Sequence, residues 1–229
     1  MASQSKSFVS ALSSSPVPET ATARVTDLRN LVEVAVVFGL VLVAVWTPQG
    51  HLNSAISLTA LCLTFGLSLA SNYSAAELGL SKPFAGAGII LGLGAFFVLV
   101  IAGMGTLTRD FGPPQALPLH RAWQYAVWAL LQEFLLQSFM YVRLESVFGS
   151  RRAVWLASGL FAVAHFPSPL LTFLSLLGGM FFCEMFRSYR NIYPLGIVHA
   201  ALGLTIAASL PDHVLHHMRV GIGYLMYHV

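Results

Sequence analysis

The chain has 229 residues, 56% hydrophobic and only 9% charged, with a mean hydropathy of +0.74. A water-facing domain carries about 25% charged residues, so a soluble domain is excluded and most of the surface must meet lipid. The net charge is +3, but the basic residues fall in short connections without interleaved aromatics, a pattern that suits loops beside an anionic leaflet and excludes nucleic acid as a partner.

Residues 1–28 are rich in Ser, Thr, Ala and Pro and lack an apolar h-region. They are expected to form a disordered tail rather than a cleaved signal peptide. The first apolar run, Leu31 to Trp46, ends at Thr47-Pro48, and Glu33 is expected to meet the positive end of its dipole. A second run spans about Asn53 to Ser71. The loop NYSAAELGLSKP leads to a third run, Phe84 to Met104, whose glycines suit close helix packing within the chain. Pro113, Pro114 and Pro118 break the next connection.

The fourth run, Ala122 to Leu144, carries Gln132, Glu133 and Gln137. Arg151 and Arg152 precede a short fifth run, Ala153 to Phe166. Pro167 and Pro169 turn the chain into the sixth, about Leu170 to Phe186, where Glu184 is spaced to pair with Arg187. The seventh, Ile192 to Leu210, has Pro194 in its first turn, where proline is tolerated. The tail after Leu210 is too polar to span.

These runs predict an all-α, polytopic membrane bundle of about seven transmembrane helices. The expected organisation is a tail over 1–28, a bundle over 29–210 and a C-terminal tail over 211–229. With the N-terminus inside, nine basic residues (Lys6, Arg24, Arg29, Lys82, Arg143, Arg151, Arg152, Arg187 and Arg190) lie inside against Arg109, Arg121 and Arg219 outside. That balance fits the positive-inside rule and a multi-pass protein of the bacterial cytoplasmic membrane. Membrane barrels need alternating segments, and these runs are continuously apolar.

Glu133 is the most informative residue. A carboxylate in hydrocarbon costs about 2.5–3.5 kcal/mol on insertion scales, so it must face a partner or a wet cavity. Gln137 lies four residues on, on the same helical face, and Gln132 adjoins it. His165 ends the fifth run and His199 lies inside the seventh. One acid and two imidazoles suit general acid–base chemistry, a divalent metal such as zinc, or a proton relay in a transporter. The glutamines also suit bonding between helices. Spacing leaves these alternatives open, because the residues come from three helices. Cys62 and Cys183 have neither zinc spacing nor a disulfide framework. The cluster His213, His216 and His217 is a weak metal signal.

The order Gln132-Glu133-x-x-x-Gln137, Phe161-x-x-x-His165, then His199 resembles the CPBP family, the intramembrane CAAX-protease and bacteriocin-processing proteins related to the Ras-converting endopeptidase. The resemblance covers about residues 120–208. The family motifs are Glu-Glu-x-x-x-Arg, Phe-x-x-x-His and His-x-x-x-Asn/Asp. The resemblance implies an intramembrane endopeptidase acting on a membrane-associated or lipidated peptide or protein, with Glu133, His165 and His199 catalytic and Gln132, Gln137 and Phe161 supporting them. By position, His165 would help to activate water and His199 would hold the oxyanion. No metal is expected; zinc at Glu133, His165 and His199 is the alternative. This chain departs from the family at Gln132, Gln137 and Gly203. Glutamine accepts no proton, so either Glu133 has become the base or the chain is a pseudo-protease that binds or escorts a membrane partner.

Overall fold

The computed structural model describes residues 19–107 and 119–226, and all regular structure among them is helical. Eight helices build the bundle: α1 Glu19–Val45, α2 His51–Leu69, α3 Ala87–Leu107, α4 Leu119–Glu133, α5 Val142–Phe148, α6 Ser150–Val163, α7 Pro169–Tyr189 and α8 Ile192–Ser209. Short turns follow at α9 Asp212–Leu215 and α10 Gly221–Leu225. Residues 1–18 of the expected tail, the three loop prolines, and the side chain of His213 lie outside the described residues.

Among the described residues five helices are long and apolar enough to cross a bilayer: residues 24–45 of α1, then α2, α3, α7 and α8. The chain is therefore an integral membrane helical bundle, as the apolar runs predict, and the fourth and fifth runs are the two that lie outside these five helices. The fourth run is not one α-helix. It passes from α4 through a π-helix, Phe134–Tyr141, into α5. The fifth run forms α6, whose 14 residues rise only about 21 Å, against about 30 Å of hydrocarbon.

Helix α1 is described from Glu19, so residues 19–28 are helical and Arg24 to Leu28 lie within the first span. Glu33 therefore lies well inside a helix, and its expected dipole role fails. It is instead a salt-bridge partner. Its carboxylate accepts from Arg143 Nε at 2.7 Å and from Arg29 Nε at 2.7 Å. Arg143 is fully buried, donates to the Leu67 carbonyl at 3.2 Å and stacks over Phe139 at 3.9 Å. One guanidinium thus ties α1, α2 and α5 together.

The loop between α2 and α3 clasps the same end of the bundle. Ser138 in the π-helix donates to the Leu78 carbonyl at 2.7 Å, and Asn191 donates to the carbonyls of Pro83 and Ala85 at 2.9 Å each. Gly79 takes φ +74° with the Phe186 ring against its α-carbon, which leaves no space for a side chain. Ser74 bonds the Glu77 carboxylate through its backbone N–H and its hydroxyl and holds that carboxyl below its ordinary value. At this end Arg190 pairs with Glu145, and Arg187 with Glu184 as its spacing predicts.

Two of the α3 glycines serve packing within the chain, while Gly88, Gly92 and Gly103 face open space. Gly94 and Gly105 bring α3 against Val198 and Ser209 of α8. Large apolar residues such as Leu99, Phe96 and Ile197 point outward, as a lipid-facing surface requires.

Candidate active site

Helices α4 and α8 close on each other through two glycines of α8. At Gly196 an added Cβ would lie 2.8 Å from Leu130 Cδ1, and at Gly203 it would collide with the Tyr125 hydroxyl. This close seam carries both Glu133 and His199. Side chains on a helix lean toward its N-terminus, so His199 leans back along α8 to meet Glu133 at the end of α4.

The contact is a hydrogen bond. His199 Nδ1 lies 2.8 Å from Glu133 Oε1, while Gln137 Nε2 donates to Glu133 Oε2 at 3.2 Å. Glu133 and Gln137 are both fully buried. With the carboxylate ionised, Nδ1–H is the donor and Nε2 is left as an acceptor. That edge has no hydrogen-bond partner among the described residues, and the His199 side chain keeps 12% of its surface exposed. Phe182 stacks on the imidazole at 5.1 Å, and Phe161 meets it edge-on at 5.8 Å.

His165 is nearby but separately held. It lies beyond the last residue of α6, and its Nδ1–H donates to the Phe161 carbonyl at 2.7 Å. The Phe161 ring contacts His165 at 4.8 Å as well as His199. Phe161 is thus the aromatic wall shared by the two imidazoles, and neither bonds the other. Gln132 is half-buried and makes no hydrogen bond among the described residues. The side-chain amide oxygen of Gln137, Oε1, is buried without a hydrogen-bond partner among the described residues.

Three residues with a part in this geometry carry no sequence signal for it. Phe182 reads as an ordinary apolar residue of a span. Cys183 is fully buried beside it. Tyr125 occupies the space where a side chain at 203 would project. The departure from the family pattern at Gly203 and the tyrosine on α4 are therefore one spatial feature.

The π-helix begins at the residue after Glu133, and Val142 N–H bonds the Gln137 carbonyl five residues back. Such segments are rare and cluster at functional sites. Here the widened turn carries Gln137 and Ser138 inward together, both fully buried.

The fit of a metal is poor. Among the described residues no three His, Cys, Asp or Glu side chains gather closely enough to hold an ion. Both Glu133 oxygens are already engaged, by His199 and by Gln137, although Nε2 of each histidine is left open while its Nδ1 is held. We derive no step through a metal.

No curated protein and no solved structure matches the chain. Residues 114–205, the stretch that holds Glu133, His165 and His199, match the family described as Type II CAAX prenyl endopeptidase Rce1-like, which relates this chain to the CAAX-protease-like membrane proteins.

Proposed function

We propose that the protein is an intramembrane endopeptidase that hydrolyses a peptide bond of a membrane-associated or lipidated substrate. The observation that carries this reading is the 2.8 Å bond between the buried carboxylate of Glu133 and His199 inside the family-matched segment. A carboxylate that holds an imidazole by Nδ1–H fixes its tautomer and leaves Nε2 able to take a proton. In this reading water loses its proton to the Glu133–His199 pair and attacks the carbonyl carbon of the scissile bond. The proton then passes to the leaving amine as the C–N bond breaks. His165, through Nε2, would face the same water or the oxyanion. Phe161 and Phe182 would hold the imidazoles in place, and Gln137 would orient Glu133. The orientation with the N-terminus inside a bacterial cytoplasmic membrane belongs to the same proposal.

The test is purified full-length protein with a library of farnesylated and unmodified membrane peptides, comparing wild type with Glu133→Gln. Cleavage that Glu133→Gln reduces by at least about 100-fold supports the reading. Equal cleavage by both proteins would remove Glu133 from the mechanism.

Two observations favour the non-catalytic alternative. Gln132 stands at the family's base position, and His165 bonds a backbone carbonyl rather than Glu133. A pseudo-protease would bind its partner equally well as His165→Ala, provided that variant elutes as a folded species.

A further inference from the structure

Away from the Glu133–His199 seam, α1 and α6 each pack on α5 but hardly on each other. The gap between them is an apolar groove of about 490 Å³, within the size range of ligand sites, about 300–1,000 Å³. Its walls include Phe38, Gly39 and Leu42 from α1 and Leu156 and Leu160 from α6, with Phe148 at the α5 floor. Gly39 opens it further: a Cβ added there would meet nothing within 4 Å. None of the residues proposed for catalysis lines this groove.

One mouth of the groove is cationic. Arg152, Leu156 and Leu160 follow one another at four-residue spacing, so Arg152 continues the α6 wall by one turn. On α1, Arg24 precedes the groove residue Leu31 by seven and so shares its face. Both arginines are exposed and neither makes a salt bridge among the described residues. Among the described residues Asp27, three after Arg24, is the acidic residue on this turn of α1, one negative charge against two positive. By contrast Arg151 acts on Glu184, which places it toward α7 and away from the groove.

We propose that this groove is a specific site for an anionic phospholipid, with an acyl chain lying between α1 and α6 and the phosphate bound by Arg152 and Arg24. The charge at the mouth commits the occupant. An uncharged chain would gain nothing from two guanidiniums, and a zwitterionic headgroup would gain little.

The full chain, purified in detergent, is titrated with dioleoyl-phosphatidylglycerol and separately with dioleoyl-phosphatidylcholine, and bound lipid is counted by native mass spectrometry. Wild type is expected to bind the anionic lipid about tenfold or more tightly. Arg24→Gln with Arg152→Gln should abolish that preference while leaving weak binding of both lipids. Gly39→Phe, which fills the groove and spares the arginines, should remove both. Equal binding of the two lipids by wild type, or Gly39→Phe binding as wild type does, would overturn the proposal. So would displacement of the anionic lipid by a farnesylated peptide, which would assign the groove to substrate. The readout is lipid retention, so the outcome does not depend on whether the protein cuts peptides.

Discussion

The Tyr125 hydroxyl fills the space into which a side chain on Gly203 would project, one helical turn along α8 from His199. The polar atom at this point of the seam thus comes from α4 instead of α8. Gly203→Asn alone is expected to destabilise the bundle by about 1–3 kcal/mol, because it forces the phenol from a packed position. Gly203→Asn with Tyr125→Ala restores the volume and should recover most of that loss. Thermal unfolding in detergent checks both. Equal stability of wild type and Gly203→Asn would show that the phenol moves aside freely.

The Glu133–His199 pair makes a kinetic prediction. Groups that act as one unit lose little more when both are removed than when one is. Glu133→Gln and His199→Gln are each expected to lower kcat by about 100-fold or more, and the double variant should fall no further than about twofold below the worse single. Additive losses would mean that the two residues act separately, despite the bond between them.

Much of this arrangement was legible in the sequence, and the rest was hidden for physical reasons. Continuous apolar runs identified the lipid-crossing helices, because the bilayer imposes both length and hydropathy. Hydropathy marks where lipid begins and not where a helix begins, so the apolar run opens near Leu31 and points Glu33 to a dipole role. The helix continues back to Glu19, and Glu33 serves Arg143. The polar residues Glu133, Gln137 and His199 stood out because burying them has a high cost. Their meeting did not, since no spacing relates residues on separate helices. The π-helix has no residue signature. Tyr125 is unremarkable beside Trp123 and Trp128, whose exposed rings read in the same way.

Gly79 sits where the α2–α3 loop meets α7, with positive φ and the Phe186 ring against it. Gly79→Ala meets both a backbone penalty and a clash, and strain of this kind costs on the order of 1–3 kcal/mol. The loop also anchors the π-helix through Ser138, so its loosening should reach the site. The expected outcome is faster amide exchange over residues 70–86 and 134–141 together, measured by hydrogen–deuterium exchange. Exchange that rises in the loop alone would separate the clasp from the π-helix.

The buried Arg143–Glu33 bridge yields the largest predicted loss of stability. Removing one partner of a buried pair leaves an uncompensated charge, at a cost of about 3–5 kcal/mol. Glu33→Gln leaves Arg143 with the Leu67 and Phe139 carbonyls but no anion, because Arg29 is also cationic. Arg143→Met instead leaves Glu33 its second partner, Arg29, half-exposed at 52%, and should cost less. Glu33→Leu with Arg143→Met removes both charges and replaces them with apolar volume, so it should be milder than Glu33→Gln alone. The order of unfolding temperatures is therefore wild type, then the double variant and Arg143→Met, then Glu33→Gln lowest. If Glu33→Gln melts with the wild type, the guanidinium has found water or a lipid phosphate, and the bridge is not what holds α1 to α5.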